Sequence, residues 1–166
     1  FKLKMAANFY SRVEVKNSLW NGDPQLIRQK VLLVRSEQGL GDTIQFCRYV
    51  PMVSALGAKV ILEVPSSLVG LLHDLESVSQ IIPYGDKLPE FDYQCPLLSL
   101  PLAFKTNLDN IPSYPHYITS NKNKVAQWRQ YIGESGFKIA IVWQGSSQNK
   151  IDVGRSFSVH LFEGLS

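Results

Sequence analysis

The sequence predicts an α/β fold built on a doubly wound parallel sheet. Continuous apolar runs rich in leucine and β-branched residues occur at 30–36, 58–65 and 78–83, which is typical of strands buried on both faces. Amphipathic stretches at 42–56 and 66–75 separate these runs and predict helices. The alternation of strand and helix implies right-handed crossovers that set the three strands parallel.

The first predicted helix runs from Asp42 to about Leu56, and Gly57 takes the stop position that often follows a helix. Pro51 lies inside this helix, so we expect a kink or an early break there. The apolar side chains recur at helical spacing: Phe46, Val50, Val53 and Leu56.

Four regions follow from the order of these patterns. Residues 1–29 are a polar lead-in or linker with the turn "WNGDP", from which we expect Trp20 to pack onto the next domain. Residues 30–118 form an α/β domain, with a fourth short strand after residue 90, and residues 119–137 form a linker and a helix. Residues 138–166 predict the strand, loop and helix that begin a second α/β unit.

Composition excludes several classes of protein. The net charge of +3 is spread over scattered lysines and arginines, which predicts no nucleic-acid partner. No apolar run reaches the roughly 20 residues of a membrane span, and the start of the chain lacks the apolar core of a signal peptide, so a cytoplasmic protein is expected. The chain starts at Phe1 and stops inside a predicted helix, which indicates a fragment of a longer protein.

Metal and redox sites are also not indicated by the sequence. Cys47 and Cys95 belong to no C-x-x-C pair, and the histidines are isolated, so we expect two buried free thiols and no metal site.

The loop after the first strand, "EQGLGD", resembles a nucleotide-binding turn but carries two carboxylates. Gly39 and Gly41 permit a tight turn, whereas a dinucleotide fingerprint needs a third glycine where Ile44 stands. Glu37 and Asp42 would repel a diphosphate, so Asp42 suits a base that accepts a proton from a substrate hydroxyl. Alternatively, Asp42 only caps its helix and Glu37 is a solvated loop residue.

The second polar loop, "GSSQNK" at 145–150, has the opposite chemistry. Its glycine and hydroxyls can donate hydrogen bonds to phosphate oxygens, and a lysine and an arginine add positive charge. An ordinary polar surface loop has the same composition and is the alternative. The candidate substrate- and donor-binding residues are Gly39 and Gly41 of the first loop, and Gly145, Ser146, Ser147, Lys150 and Arg155 of the second region.

The blocks "EQGLGDTIQF", "CPLLSLP" and "IVWQGSSQNKIDVGRS" resemble the glycosyltransferase-like domain of bacterial tetratricopeptide-repeat proteins. That domain is similar in turn to the heptosyltransferases of glycosyltransferase family 9. The resemblance covers nearly the whole chain from Leu19. It implies the N-terminal half of a GT-B arrangement, in which two Rossmann-like domains hold the acceptor and a nucleotide sugar, respectively.

Several expectations about the reaction come with that resemblance. Asp42 matches the family's base, while Ser146, Ser147 and Lys150 match its phosphate-binding loop. The reaction implied is a metal-independent, inverting sugar transfer, with a nucleotide sugar as donor substrate and no other cofactor. The acceptor would be a glycan, a lipid-linked sugar or a protein, and tetratricopeptide repeats would belong to the same full-length chain. A non-catalytic Rossmann-like module that binds a protein or a nucleotide is the alternative.

Overall fold

The computed structural model describes residues 18–145, 154 and 156–165. The chain divides into two compact units, Phe1–Val125 and Ala126–Ser166. Among the described helices, not one has the length and apolar character needed to cross a membrane.

The first unit contains a five-stranded sheet and most of the helices. The strands are β1 (Ser18–Leu19), β2 (Val31–Arg35), β3 (Lys59–Val64), β4 (Gln80–Pro83) and β5 (Tyr93–Pro96). The α-helices are α1 (Pro24–Ile27), α2 (Leu40–Phe46), α3 (Val50–Ala55), α4 (Ser66–Leu72), α5 (Leu100–Ala103) and α6 (Lys122–Ile132), which crosses the division between the units. Turns of 3-10 helix occupy Cys47–Tyr49, Leu97–Ser99 and, in the second unit, Val159–Leu165.

The sheet confirms the predicted parallel α/β architecture. The strand order is β1-β5-β2-β3-β4, and all neighbouring strands are parallel. The chain moves outward from β2 through β3 to β4 and then returns to the other side of β2 as β5. The strand order therefore reverses between β2 and β5, which is the Rossmann-like arrangement and the place where such sheets hold ligands.

The two faces of the sheet are covered differently. Leu32 and Leu62 lie in the main core with side chains of the helices, for example Val53 of α3. On the other face, Leu33 and Ile61 contact a smaller cluster that includes Phe91. The second face is thus covered by the segment that joins β4 to β5, where a doubly wound sheet would more often place a helix.

The helix predicted from 42 to 56 begins two residues earlier and is divided in two. Pro51 has no N–H to donate to the carbonyl of Cys47, and the N–H of Val50 donates to that carbonyl instead. This shorter bond produces the 3-10 turn between α2 and α3. The expected break is confirmed, and its position is set by the acceptor that Pro51 leaves without its usual donor.

The described part of the second unit differs from the sequence-based expectation. The structure assigns no strand to residues 138–145, although their apolar pattern predicted one. A strand needs a neighbour to pair its backbone groups, and the described residues of this unit include no other strand. Apolar side chains of this segment are accordingly exposed, with Ile139 at 52% and Val142 at 87%.

The lead-in is anchored where the sequence predicted. Trp20 is buried in the main core, its indole Nε1–H donates to the carbonyl of Asp23 at 2.8 Å, and its ring meets Phe104 edge to face. Gly22 makes the turn that follows, with φ of +102°. A Cβ at Gly22 would lie 2.5 Å from the carbonyl oxygen of Ala103, so this turn requires glycine both for its conformation and for its space.

We expect Gly22→Ala to lower the free energy of unfolding by about 1–3 kcal/mol, because alanine is strained at positive φ and meets backbone atoms. Urea denaturation followed by circular dichroism measures the loss. Gly70→Ala is the control: Gly70 is exposed within α4, where alanine should stabilise by about 0.5–1 kcal/mol. Equal effects of the two substitutions would contradict the steric explanation.

Candidate functional site

The carboxyl ends of the central strands bring polar side chains together. Arg35 ends β2 and lies in register with Glu63 of β3. Arg35 Nε donates to Glu63 Oε2 at 2.5 Å, and each side chain is only 7% exposed. Sequence reasoning missed this buried ion pair because both residues stand inside apolar strand patterns, and only the strand register places them side by side.

A second polar contact joins the next strand to the same edge. The Tyr84 hydroxyl, just beyond β4, donates to the carbonyl of Ser36 and also contacts Ser36 Oγ. Burial raises the pKa of the Tyr84 phenol, and the charges of Glu63 and Glu37 raise it further. The backbone N–H of Ser36 donates to the carbonyl of Glu63 at 2.9 Å. The start of the first loop is therefore held from two sides.

Glu37 is half-buried, and the expectation of a solvated loop residue is wrong. Its Oε1 accepts the N–H of Leu98 at 3.2 Å, across the point where the strand order reverses. Its Oε2 is buried and accepts no hydrogen bond from the described residues. Burial is the main reason why the pKa of this carboxyl rises to about 7, and the nearby charge of Asp42 adds to the rise. Glu37 therefore changes charge near neutral pH.

Asp42 occupies the third position of α2 rather than the cap position. Its Oδ2 accepts the N–H of Gly39 at 3.2 Å, so the side chain does satisfy a backbone donor at the start of the helix. Among the described residues no donor reaches Oδ1, and the side chain is partly exposed. The same carboxylate can thus cap the helix with one oxygen and accept a proton with the other.

The two glycines of the loop do not act as the sequence suggested. Neither Gly39 nor Gly41 adopts positive φ, and Gly41 lies in the first turn of α2 with no heavy atom near the position of a Cβ. Gly39 is the N-cap, and its carbonyl accepts the N–H of Thr43 at 3.0 Å. A Cβ at Gly39 would lie 3.3 Å from Asp42 Oδ2, so a side chain there would crowd the carboxylate.

The charges of this edge favour a neutral or hydroxyl-bearing ligand. Arg35 is held by Glu63, whereas Glu37 and Asp42 have no ion-pair partner in the part of the chain that the structure describes. A diphosphate beside them would be repelled by roughly 1–4 kcal/mol per pair of charges. A ligand hydroxyl, in contrast, can donate to Asp42.

The second candidate loop is described only in part. The N–H of Gly145 donates to Ser156 Oγ at 2.9 Å, and the N–H of Phe157 donates to the carbonyl of Trp143 at 3.1 Å. Residues 143–145 therefore lie beside residues 156–157. The other residues predicted to bind the donor lie outside the described residues: Ser146, Ser147, Lys150 and Arg155.

The described residues show two free cysteines and no candidate metal site. Cys47 and Cys95 are buried free thiols, as expected, and burial raises the pKa of each thiol to about 12. Thiolate chemistry at neutral pH is therefore disfavoured. No cluster of three or more histidine, cysteine or acidic side chains is found among the residues that the structure describes.

Comparison with known proteins shows a distant similarity. The chain is 25% identical over 173 residues to Protein FlbA of Caulobacter vibrioides. The match covers 92% of this chain but 28% of FlbA, so the chain spans less than a third of the length of that relative. No family model and no solved structure matches the chain.

Removing one partner of the buried ion pair should be costly. We expect Glu63→Leu to lower the free energy of unfolding by about 3–5 kcal/mol, because it leaves the Arg35 guanidinium buried without its carboxylate. Urea denaturation measures the change. The double variant Arg35→Met, Glu63→Leu should recover most of the loss, since it leaves no charge behind, and an additive loss would contradict this explanation.

Glu37 should make stability depend on pH in one direction. In the unfolded chain its pKa lies near 4.5, and in the folded chain at about 7, so the folded state retains a proton that the unfolded state has lost. Stability should therefore fall as pH rises from about 4.5 to about 7 and then level off.

The measurement is the melting temperature at pH 5–8. We expect Glu37→Gln to remove roughly 2–6 °C of the fall in melting temperature, which corresponds to a free energy on the order of 1 kcal/mol or less for a partly exposed group. Glutamine is chosen because its Oε1 can still accept the N–H of Leu98. The exposed Glu90→Gln is the control and should keep the wild-type slope. An unchanged slope in Glu37→Gln would show that Glu37 does not titrate in this range.

Proposed function

We propose that the first unit of this chain is the acceptor-side domain of a metal-independent, inverting glycosyltransferase. The observation that carries the proposal is the partly exposed carboxylate of Asp42, beside the half-buried Glu37, at the point where the strand order reverses. Ligands of open α/β sheets bind at this point. The sequence resemblance to the glycosyltransferase-like domain of tetratricopeptide-repeat proteins supports the same assignment.

In the proposed reaction, an acceptor hydroxyl donates its proton to Asp42 Oδ1 while its oxygen attacks the anomeric carbon of a nucleotide sugar. The new carbon–oxygen bond forms as the bond to the diphosphate breaks, which inverts the anomeric centre. The nucleoside diphosphate leaves with the bonding electrons, and Lys150 together with Ser146 and Ser147 would stabilise its charge. Asp42 keeps its place because Oδ2 accepts the Gly39 N–H.

The distribution of charge supports this division of roles. The first loop carries the two carboxylates Glu37 and Asp42, whereas the sequence of the second loop carries lysine and hydroxyls before any acid. A hydroxyl is therefore favoured at the first loop and a diphosphate at the second.

The test is a transfer assay with the protein in its full natural length, a panel of labelled nucleotide sugars and hydroxyl-bearing acceptors. We expect Asp42→Asn to lower the rate by about 10²–10⁴-fold, the usual contribution of a general base. Asparagine keeps an oxygen that can accept the Gly39 N–H, so the melting temperature should change little. Turnover retained in Asp42→Asn would remove the base assignment.

A non-catalytic module that binds a partner protein is the second candidate. It is favoured by exposed apolar side chains in the second unit, where Trp128 is 60% exposed and Tyr131 is 85% exposed. Absence of transfer from every donor by the wild-type protein, with the fold intact, would favour this candidate over the enzyme.

A further inference from the structure

A cavity of about 440 Å³ lies in the first unit, between α2 with its following 3-10 turn and the segment that follows α5. Phe46 and Tyr49 line one side, and Pro101, Leu108 and Ile111 are among the residues of the other. This volume is within the range of about 300–1,000 Å³ that is common for small-molecule sites. A mostly apolar lining with a few polar groups is also typical of such sites.

The walls of this cavity are held in place by local contacts. The ring of Tyr49 stacks between Phe46 and Phe104, with centroid distances of 6.3 and 6.4 Å. In the opposite wall, the N–H of Asn107 donates to Asn110 Oδ1 at 2.6 Å, and Asn110 Nδ2 donates to the carbonyl of Lys105 at 3.4 Å. The cavity is therefore largely formed before a ligand arrives, which lowers the entropic cost of binding.

Arg48 places a fixed positive charge in the lining. Its Nε donates to the carbonyl of Gln45 at 2.9 Å, and Nη2 donates to the Tyr117 hydroxyl at 3.4 Å. The guanidinium also lies over the Tyr117 ring, 5.2 Å from its centroid. Within the described chain, Nη1 has no hydrogen-bond partner and remains able to donate to a ligand oxygen.

The cavity and the site proposed above share α2. Gln45, which lines it, follows Asp42 by one turn on the same side of α2. A ligand held in the cavity can therefore contact Gln45, one helical turn from Asp42.

We propose that this cavity binds the apolar part of the acceptor, an aromatic or short acyl group that carries an anionic oxygen beside Arg48. The identification of the ligand as an acceptor rests on the proposed function, but the binding of an anionic apolar ligand does not. Leu108 is 90% exposed without a ligand, so an apolar group seated against it removes that surface from water. Arg48 selects amphiphiles with an anion over neutral apolar molecules.

The experiment is an amide-resolved NMR titration of the chain with three probes: 4-phenylbutyrate, butyrate and 4-phenylbutanol. The first has both the ring and the anion, and each of the others lacks one of them. We expect saturable shifts at residues 45–49 and 106–111 with 4-phenylbutyrate, and binding about tenfold weaker for the other two. Equal binding of all three, or shifts spread over the whole surface, would overturn the proposal.

Two matched variants separate the cavity from general surface binding. Leu108→Glu places a negative charge, the same sign as that of the ligand, at the mouth of the cavity. It should weaken 4-phenylbutyrate binding by about tenfold or more. Leu102→Glu is the control: it alters an exposed leucine of α5, 73% exposed, that is not among the lining residues, and binding should stay unchanged. Loss in both variants would assign the binding to surface charge and overturn the proposal.

The titration contains no donor, so its outcome is independent of sugar transfer. Saturable binding without any turnover in the transfer assay would retain the cavity and reject the enzyme. Turnover together with an unoccupied cavity would retain the enzyme and reject the acceptor subsite.

Discussion

The structure of the first unit depends on the position of β2 at the centre of the parallel sheet. Its five residues pair with β3 on one side, and the last four of them, which are buried, also pair with β5 on the other. Because both neighbours are parallel to it, β2, β3 and β5 end at the same edge. The loop that follows β2 then lies beside the residues that follow β5, although about sixty residues separate them in the chain.

That arrangement explains why the candidate site combines buried and exposed charges. Arg35 and Glu63 face each other because their strands are in register, and their mutual contact makes burial of both charges tolerable. Glu37 comes two residues after Arg35, where the loop turns toward Leu98, and it is half-buried with no ion-pair partner among the described residues. The raised pKa of Glu37 is the consequence. Asp42, one short turn further on, remains partly in solvent and keeps one oxygen for a ligand.

The break in the first helix has a structural role beyond its own backbone. In a continuous α-helix from 40 to 55, residues three and four apart would lie on the same face throughout. The 3-10 turn at Cys47–Tyr49 interrupts this spacing and changes the direction of the side chains that follow. Tyr49 becomes buried and stacks on Phe104, while Arg48 turns to Tyr117. The apolar cavity with its fixed cation thus depends on Pro51, which cannot donate to the carbonyl of Cys47.

The sequence by itself determined the strands β2 to β5 and the helices that follow β2 and β3, together with their order, but not β1, α1 or α5. Runs of buried β-branched residues identified the strands, helical spacing identified the helices, and Pro51 marked the break, because these signals depend on neighbours within one or two turns. Asp42 was also singled out from its loop as the candidate base, a role that stays a prediction. Tertiary structure alone decided the pairing of Arg35 with Glu63, the burial of Glu37 against Leu98, and the cavity beside Arg48. Each of these joins residues distant in the chain, and local patterns carry no information about strand register or about what covers a side chain. The apolar run at 138–145 shows the same limit, since a strand pattern becomes a strand only beside a partner.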